Sequence, residues 1–206
     1  MKAVLISIRP KWVEKIVRGE KTLEVRKTRP KLETPFKCYI YCTEAKKRLV
    51  TILKDDDENY GEIYHGKPVF IKVEEDSVCD MWGKRQKIVG EFVCDTILPV
   101  TVECSSPADL GAGLEVPGTC LTDREILDYL GNGKQGYLWH ISGLKLYGEP
   151  KELSEFCFPP ELYCEKGLCG TCPYDQSPNE YGEYSFDCEW KKPVTCPPQS
   201  WCYVEG

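Results

Sequence analysis

Nowhere in its 206 residues does this sequence carry an apolar run of membrane-spanning length, which argues against a helix crossing a bilayer. The opening MKAVLISIRP lacks the extended apolar segment and small-residue cleavage site of a secretory signal, so a reducing, cytoplasmic setting is expected for the 13 cysteines. Histidine is scarce, with two residues. His140 lies in a strand-like stretch and reads as a hydrogen-bonded structural residue, and His65 sits in an acidic loop and reads as exposed. Neither is offered as a catalytic base. Internal repeats are absent, and so is the signature of disorder: an apolar fraction of 41% beside a charged fraction of 29% provides enough buriable surface to offset chain entropy. A surplus of positive charge is missing as well, the net charge being −6. That average conceals an asymmetry. Residues 1–54 hold 15 Lys+Arg against 5 Asp+Glu, and residues 55–206 hold 12 against 28. Beyond about 8 Å such charges are largely screened at physiological salt, so the basic front half can attract phosphate locally; the plainer reading is a solvated, soluble surface.

The local patterns predict a small α+β domain. AVLISI (3–8) has strand length and composition, and Pro10 suits the first turn of a helix in which Trp12, Val13, Ile16 and Val17 share a face and Gly19 follows the end. KTLEVRK alternates as a strand, with Leu23 and Val25 on one side and Glu24 and Arg26 on the other. Further strands are expected at FKCYIYCTE (36–44), PVFIKVEE (68–75), a long run over 85–103 with Gly90 as a candidate bulge, and 136–150. Residues 104–120 read as a loop. Thr122 and Glu125 form a capping box opening the helix DREILDYL. Five or six strands with two or three short flanking helices suggest a mostly antiparallel, barrel-like sheet.

The most charged stretch is GEKTLEVRK (19–27). Glu24 and Arg26 are two apart on a strand and so share a face, their Cα atoms roughly 6.6 Å apart. Arg26 can present a fork to a phosphate or base edge, and Glu24 can accept from an exocyclic amine. Lys21 lies off that face by simple alternation, and only a bend between helix and strand would bring it in. The plain alternative is a surface ion pair worth about 0–1 kcal/mol.

Gly19-x-Lys21-x-x-Glu24-x-Arg26, standing after the first strand and helix, resembles the G-x-K-x-x-E-x-R motif of ASCH domains, a branch of the PUA-like superfamily. LISIRPKWVEKIVRGEKTLEVRKT, YIYCTE, KIVGEFVCDTI and GYLWHISGLKLYGEPKELSEF resemble ASCH segments in the same order, over about residues 1–156. The resemblance implies a β-barrel-like fold, a cleft beside the helix-to-strand turn, and binding of RNA or a nucleotide. Candidate ligand-binding residues are Ser7, Arg9, Gly19, Lys21, Glu24, Arg26, Lys27, Tyr41 and Thr43. Trp139 is expected in the core, with base stacking as the alternative. Some superfamily members are amidohydrolases acting on N4-acetylcytidine with a lysine at the position of Lys21, a threonine, and a glutamate further on. This chain has Glu24 where that threonine stands, which changes the nucleophile. A binding module therefore ranks first and a hydrolase using Lys21 and Glu24 as catalytic residues second. A protein-interaction module is the third class.

Seven of the 13 cysteines fall in residues 157–206, marking a separate, irregular extension. Cys164, Cys169, Cys172, Cys188 and Cys202 have spacings suited to zinc, four of the five completing a tetrahedral set. Cys169, Cys172 and Cys188 are common to both favoured sets, Cys157 and Cys196 are outside candidates, and an iron–sulfur cluster is the lesser alternative. A metal would supply folding energy that burial in this tail cannot.

Overall fold

The computed structural model describes residues 2–44, 47–51, 70–74, 86–104, 113–159, 162 and 192–206. His65 and four of the five candidate zinc ligands, Cys164, Cys169, Cys172 and Cys188, lie outside the described residues.

The apolar opening forms β1 (Lys2–Ile8), in which Ala3 to Ile8 are all buried. A strand apolar on both faces belongs inside a sheet, and β1 lies between a parallel neighbour, β3 (Phe36–Cys42), and an antiparallel one, β12 (Trp201–Glu205). β3 is followed outward by β6 (Lys87–Cys94) and β11 (Ser142–Lys151), giving the five-stranded order β11-β6-β3-β1-β12. A second sheet has the order β2-β10-β7, from Leu23–Arg26, Gln135–His140 and Ile97–Thr101. Two short ladders complete the strands: β4 (Lys47–Thr51) with β5 (Phe70–Glu74), and β8 (Glu115–Val116) with β9 (Leu121–Thr122).

Strand alternation sorts the apolar residues into layers. Val4, Ile6, Ile8, Cys38, Ile40 and Phe92 face a core that also takes Val13 and Ile16 from α1 (Pro10–Val17) and Trp139 from β10. On the reverse face Leu5, Tyr39, Tyr41 and Ile88 pack with Phe156, Val194 and Val204. Val25 and Leu138, on the outer side of the second sheet, meet Ile126 and Leu130 of α2 (Asp123–Leu130).

Several expectations from local pattern are realised. Arg9 is extended and Pro10 opens α1. Both arms of the Thr122–Glu125 capping box form. Trp139 is 0% exposed, and His140 Nδ1 lies 2.6 Å from Asp95 Oδ1. Three are corrected. The described strands form separate sheets and do not close a barrel, because β1 carries a parallel neighbour and the sheet ends at β11 and β12. The run over 85–103 breaks into two strands at Asp95 and Thr96, so that β6 serves one sheet and β7 the other. Residues 104–120 include the short strand β8. At the expected bulge, Ile40 pairs with Gly90 and Tyr41 with Ile88, leaving Val89 as the extra residue. Gly90 is needed beside it because a Cβ there would stand 2.5 Å from the Lys145 carbonyl oxygen.

Candidate functional site

The charged motif is positioned by a tight exit from α1. The amides of Glu20 and Lys21 both donate to Lys15 O, at 2.9 and 3.1 Å, and Gly19 takes φ +74°, open to glycine at little cost. The chain is then pinned from outside the helix, since Thr22 N and Leu23 N both donate to Gly118 O at 2.8 Å. Gly118 itself has φ +76°, and a Cβ there would meet Thr22 Oγ1 at 2.6 Å. This double pin re-aims Lys21 so that it joins the face of Glu24.

The three charged heads converge and are buried, with Lys21 2%, Glu24 6% and Arg26 7% exposed. Lys21 Nζ donates to Leu23 O at 2.9 Å and Thr119 O at 2.7 Å, and lies 3.3 Å from Glu24 Oε2. The two carbonyls take two of the ammonium's three protons, and the carboxylate stands at ion-pair distance. The ring of Trp12 adds a face, its centroid 5.3 Å from Nζ. Glu24 Oε1 sits 3.0 Å from Arg26 Nη2, which also donates to Ser7 O at 2.6 Å. Arg26 Nη1 donates to Ser200 Oγ at 3.3 Å. Three buried atoms have no hydrogen-bond partner among the described residues: Trp139 Nε1 in the core and, within the charged group, Arg26 Nε and Glu24 Oε2, whose approach to Lys21 is an ion-pair contact without hydrogen-bond direction. The cross-strand register places Glu24 opposite Trp139 and Arg26 opposite Tyr137, so aromatic rings wall the charged face.

The other sequence candidates fall around this centre unevenly. Ser7 is buried against it; its carbonyl meets Arg26 and its hydroxyl donates to Pro198 O at 2.6 Å. Arg9 precedes α1 and Gly19 follows it. Lys27 is exposed, with Nζ 5.1 Å from the ring centroid of Tyr129. Thr43, half-buried, donates its amide to Ile8 O at 2.9 Å. Tyr41 packs with Leu5 and Ile88 on the reverse face of the large sheet, turned there by alternation from Ile40, and burial raises its phenol above the usual range. It is not gathered with the charged heads. Thr119, fully buried, and the segment Pro198–Ser200 are the members that sequence reasoning missed.

The resemblance implies a cleft beside the helix-to-strand turn. Among the described residues, the 118–119 turn lies on one side of the charged heads and the 198–200 segment on the other. Two surface hollows, about 250 and 310 Å³, lie elsewhere: one is lined by Tyr39, Phe156 and Cys157 among others, the other by Glu103, Cys104, Asn132 and Gly133.

Cys202 lies in β12 opposite Leu5, and its thiol packs beside the reverse-face core. Burial first, then proximity to Cys196, pushes its pKa up to about 11. No group of three or more His, Cys, Asp or Glu with metal-site geometry occurs among the described residues. No helix among them is long and apolar enough to cross a membrane.

No protein-family model matches the sequence, and no curated protein does. Solved structures of the ASCH protein of Zymomonas mobilis and two of its single-substitution variants are similar to this chain at 14% identity and TM-score 0.48. They cover between 98% and 100% of this chain and between 87% and 91% of theirs. The likeness gives no residue a role.

Proposed function

We propose that the chain binds RNA or a nucleotide through the Lys21–Glu24–Arg26 cluster. The observation that carries this reading is a pair of buried atoms without a hydrogen bond in one ion-paired group: Arg26 Nε, and Glu24 Oε2, which has only its ion-pair contact with Lys21. Stability alone does not account for them, because buried charges are costly and an apolar set of similar volume would often hold the fold as well or better. A donor and an acceptor in one group are what a nucleobase edge requires, and the surplus of one positive charge in the cluster favours a phosphorylated ligand. The exposed stretch after β2 adds Lys27, Arg29 and Lys31, with Arg29 5.8 Å from the ring centroid of Tyr137. These basic and aromatic side chains suit a polyanion carrying stackable bases.

The hydrolase alternative asks Lys21 to take a proton from a nucleophile. Its nitrogen instead faces two carbonyl oxygens and a carboxylate, an arrangement that orients Glu24, so binding is the better supported of the two. For the extension, zinc on Cys164, Cys169, Cys172 and Cys188 is the set we propose, because Cys202 is committed to β12 opposite Leu5, against the reverse-face core.

Fluorescence anisotropy with a labelled 12-nucleotide single-stranded RNA tests the binding proposal. Binding that weakens with salt, and weakens about tenfold or more in Arg26→Gln with the fold intact by circular dichroism, supports it. Unchanged affinity in Arg26→Gln places any binding elsewhere and refutes it.

A further inference from the structure

The charged heads are covered on one side by a piece of chain remote in sequence. Val194 is 1% exposed and its amide donates to Phe156 O at 2.8 Å; Trp201 begins β12. Between these anchors, residues 195–200 have no strand or helix, and Pro197 and Gln199 are exposed. Three bonds tie this span to the motif. Ser7 Oγ donates to Pro198 O at 2.6 Å, Ser7 N to Ser200 O at 3.0 Å, and Arg26 Nη1 to Ser200 Oγ at 3.3 Å. Two of the three acceptors are backbone carbonyls and the third is a hydroxyl, so the span offers Ser7 and Arg26 neutral oxygens of the kind a base carbonyl or a ribose hydroxyl offers. It fills the site incompletely, leaving Arg26 Nε without a hydrogen bond and Glu24 Oε2 with only its ion-pair contact to Lys21.

We propose that residues 195–200 are a displaceable strap that occupies the motif's recognition surface in cis, and that a ligand engages Arg26 and Ser7 by taking the places of the Pro198 carbonyl and the Ser200 hydroxyl. The proposal rests on the motif being a nucleotide site. Its energetics are those of a weak competitor. Each of the three hydrogen bonds contributes a factor of about five to the closed state, so closure is favoured on the order of a hundredfold before the strap's regained chain entropy is subtracted. An invading base edge with both an oxygen acceptor and an N–H donor can satisfy Arg26 Nε and Glu24 Oε2 as well, which the strap cannot. Because the competent state is the open one, apparent affinity is reduced by its fractional population.

The test uses the full chain and the same labelled 12-nucleotide RNA. Replacing Pro197, which is exposed, and Pro198, which is half-buried, together by Gly loosens the strap through chain entropy and leaves every hydrogen-bonding group in place. The double variant is expected to bind about fivefold tighter than the wild type. Amide exchange followed by NMR on the wild type supplies the second readout: saturating RNA accelerates exchange at Ser7 N by on the order of tenfold, while Leu5 N in the same strand is unmoved. Equal affinity in the two chains together with a Ser7 amide that stays protected in the complex overturns the strap and leaves the binding site standing. Failure of the RNA to bind either chain overturns the site and the strap together. RNA binding that is tighter in the double variant yet indifferent to Arg26→Gln overturns both the site and the strap's role as its competitor.

Discussion

Replacing Glu24 by Gln removes one charge and almost no volume, and its consequences follow from the burial of its neighbours. Lys21 and Arg26 are 2% and 7% exposed and both lie against the Glu24 carboxylate, at 3.3 and 3.0 Å. Without that carboxylate two cations are left near one another inside the fold. Breaking a buried pair in this way costs about 3–5 kcal/mol, a large fraction of the ~5–15 kcal/mol that stabilises a domain. For a chain of this size that lowers Tm by on the order of 10 °C. Urea unfolding at pH 7, with a two-state fit, measures it. A triple replacement, Lys21→Met with Glu24→Leu and Arg26→Met, isolates the reason: removing all three charges together is expected to cost less than Glu24→Gln alone, since no uncompensated charge remains buried. A Glu24→Gln variant within about 1 kcal/mol of the wild type, the value of an exposed pair, would refute the claim that these heads are withdrawn from water.

Four further outcomes are expected. Iodoacetamide at pH 8 alkylates the exposed Cys196 early and spares Cys202 and Cys94, whose pKa values burial pushes up to about 11 and about 12; peptide mass spectrometry reads the order. The hydrogen bond from His140, then that from Ser142, holds the Asp95 carboxyl below its ordinary value. A carboxyl depressed in the folded state adds stability above its unfolded pKa and loses it as pH falls through the folded value. The stability gap between wild type and Asp95→Asn, present at pH 7, therefore closes as pH drops below about 4. Gly118→Ala forces a Cβ toward Thr22 Oγ1 at a backbone φ of +76° and is expected to cost about 1–3 kcal/mol by thermal unfolding, weakening RNA binding through the displaced Lys21. Elemental analysis should find zinc in the full chain and in Cys202→Ala, and lose it in Cys169→Ala; zinc lost with Cys202→Ala and kept with Cys169→Ala contradicts the proposed set.

What local pattern could convey was legible and what distance conveys was not. The run Ala3–Ile8, Pro10 at the head of α1, and the Thr122–Glu125 box act within a few residues, and each appears as read. The shared face of Glu24 and Arg26 follows from alternation alone. The partners of that face do not, because they are separated from it by 98 residues at Thr119 and 174 at Ser200. Several of them are backbone carbonyls, which carry no residue-type signal. Tyr41 illustrates the opposite failure: its strand was identified, but the face it occupies depends on which side of β3 the charged turn packs, and that is a property of the whole sheet. The edges of β11 and β12, which leave the sheet open, likewise depend on a pairing of β1 with residues about two hundred positions away.

Arg26 Nε is the buried donor of the charged group without a hydrogen-bond partner among the described residues, and it gives the most direct test of nucleotide recognition. Its N–H resonance, assigned by its loss in Arg26→Lys, can be followed by NMR while unlabelled single-stranded RNA is titrated into the full chain. Recognition by the Lys21–Glu24–Arg26 cluster predicts a saturable shift of that signal with the same midpoint as the anisotropy curve. A signal that stays in place while the RNA binds contradicts it.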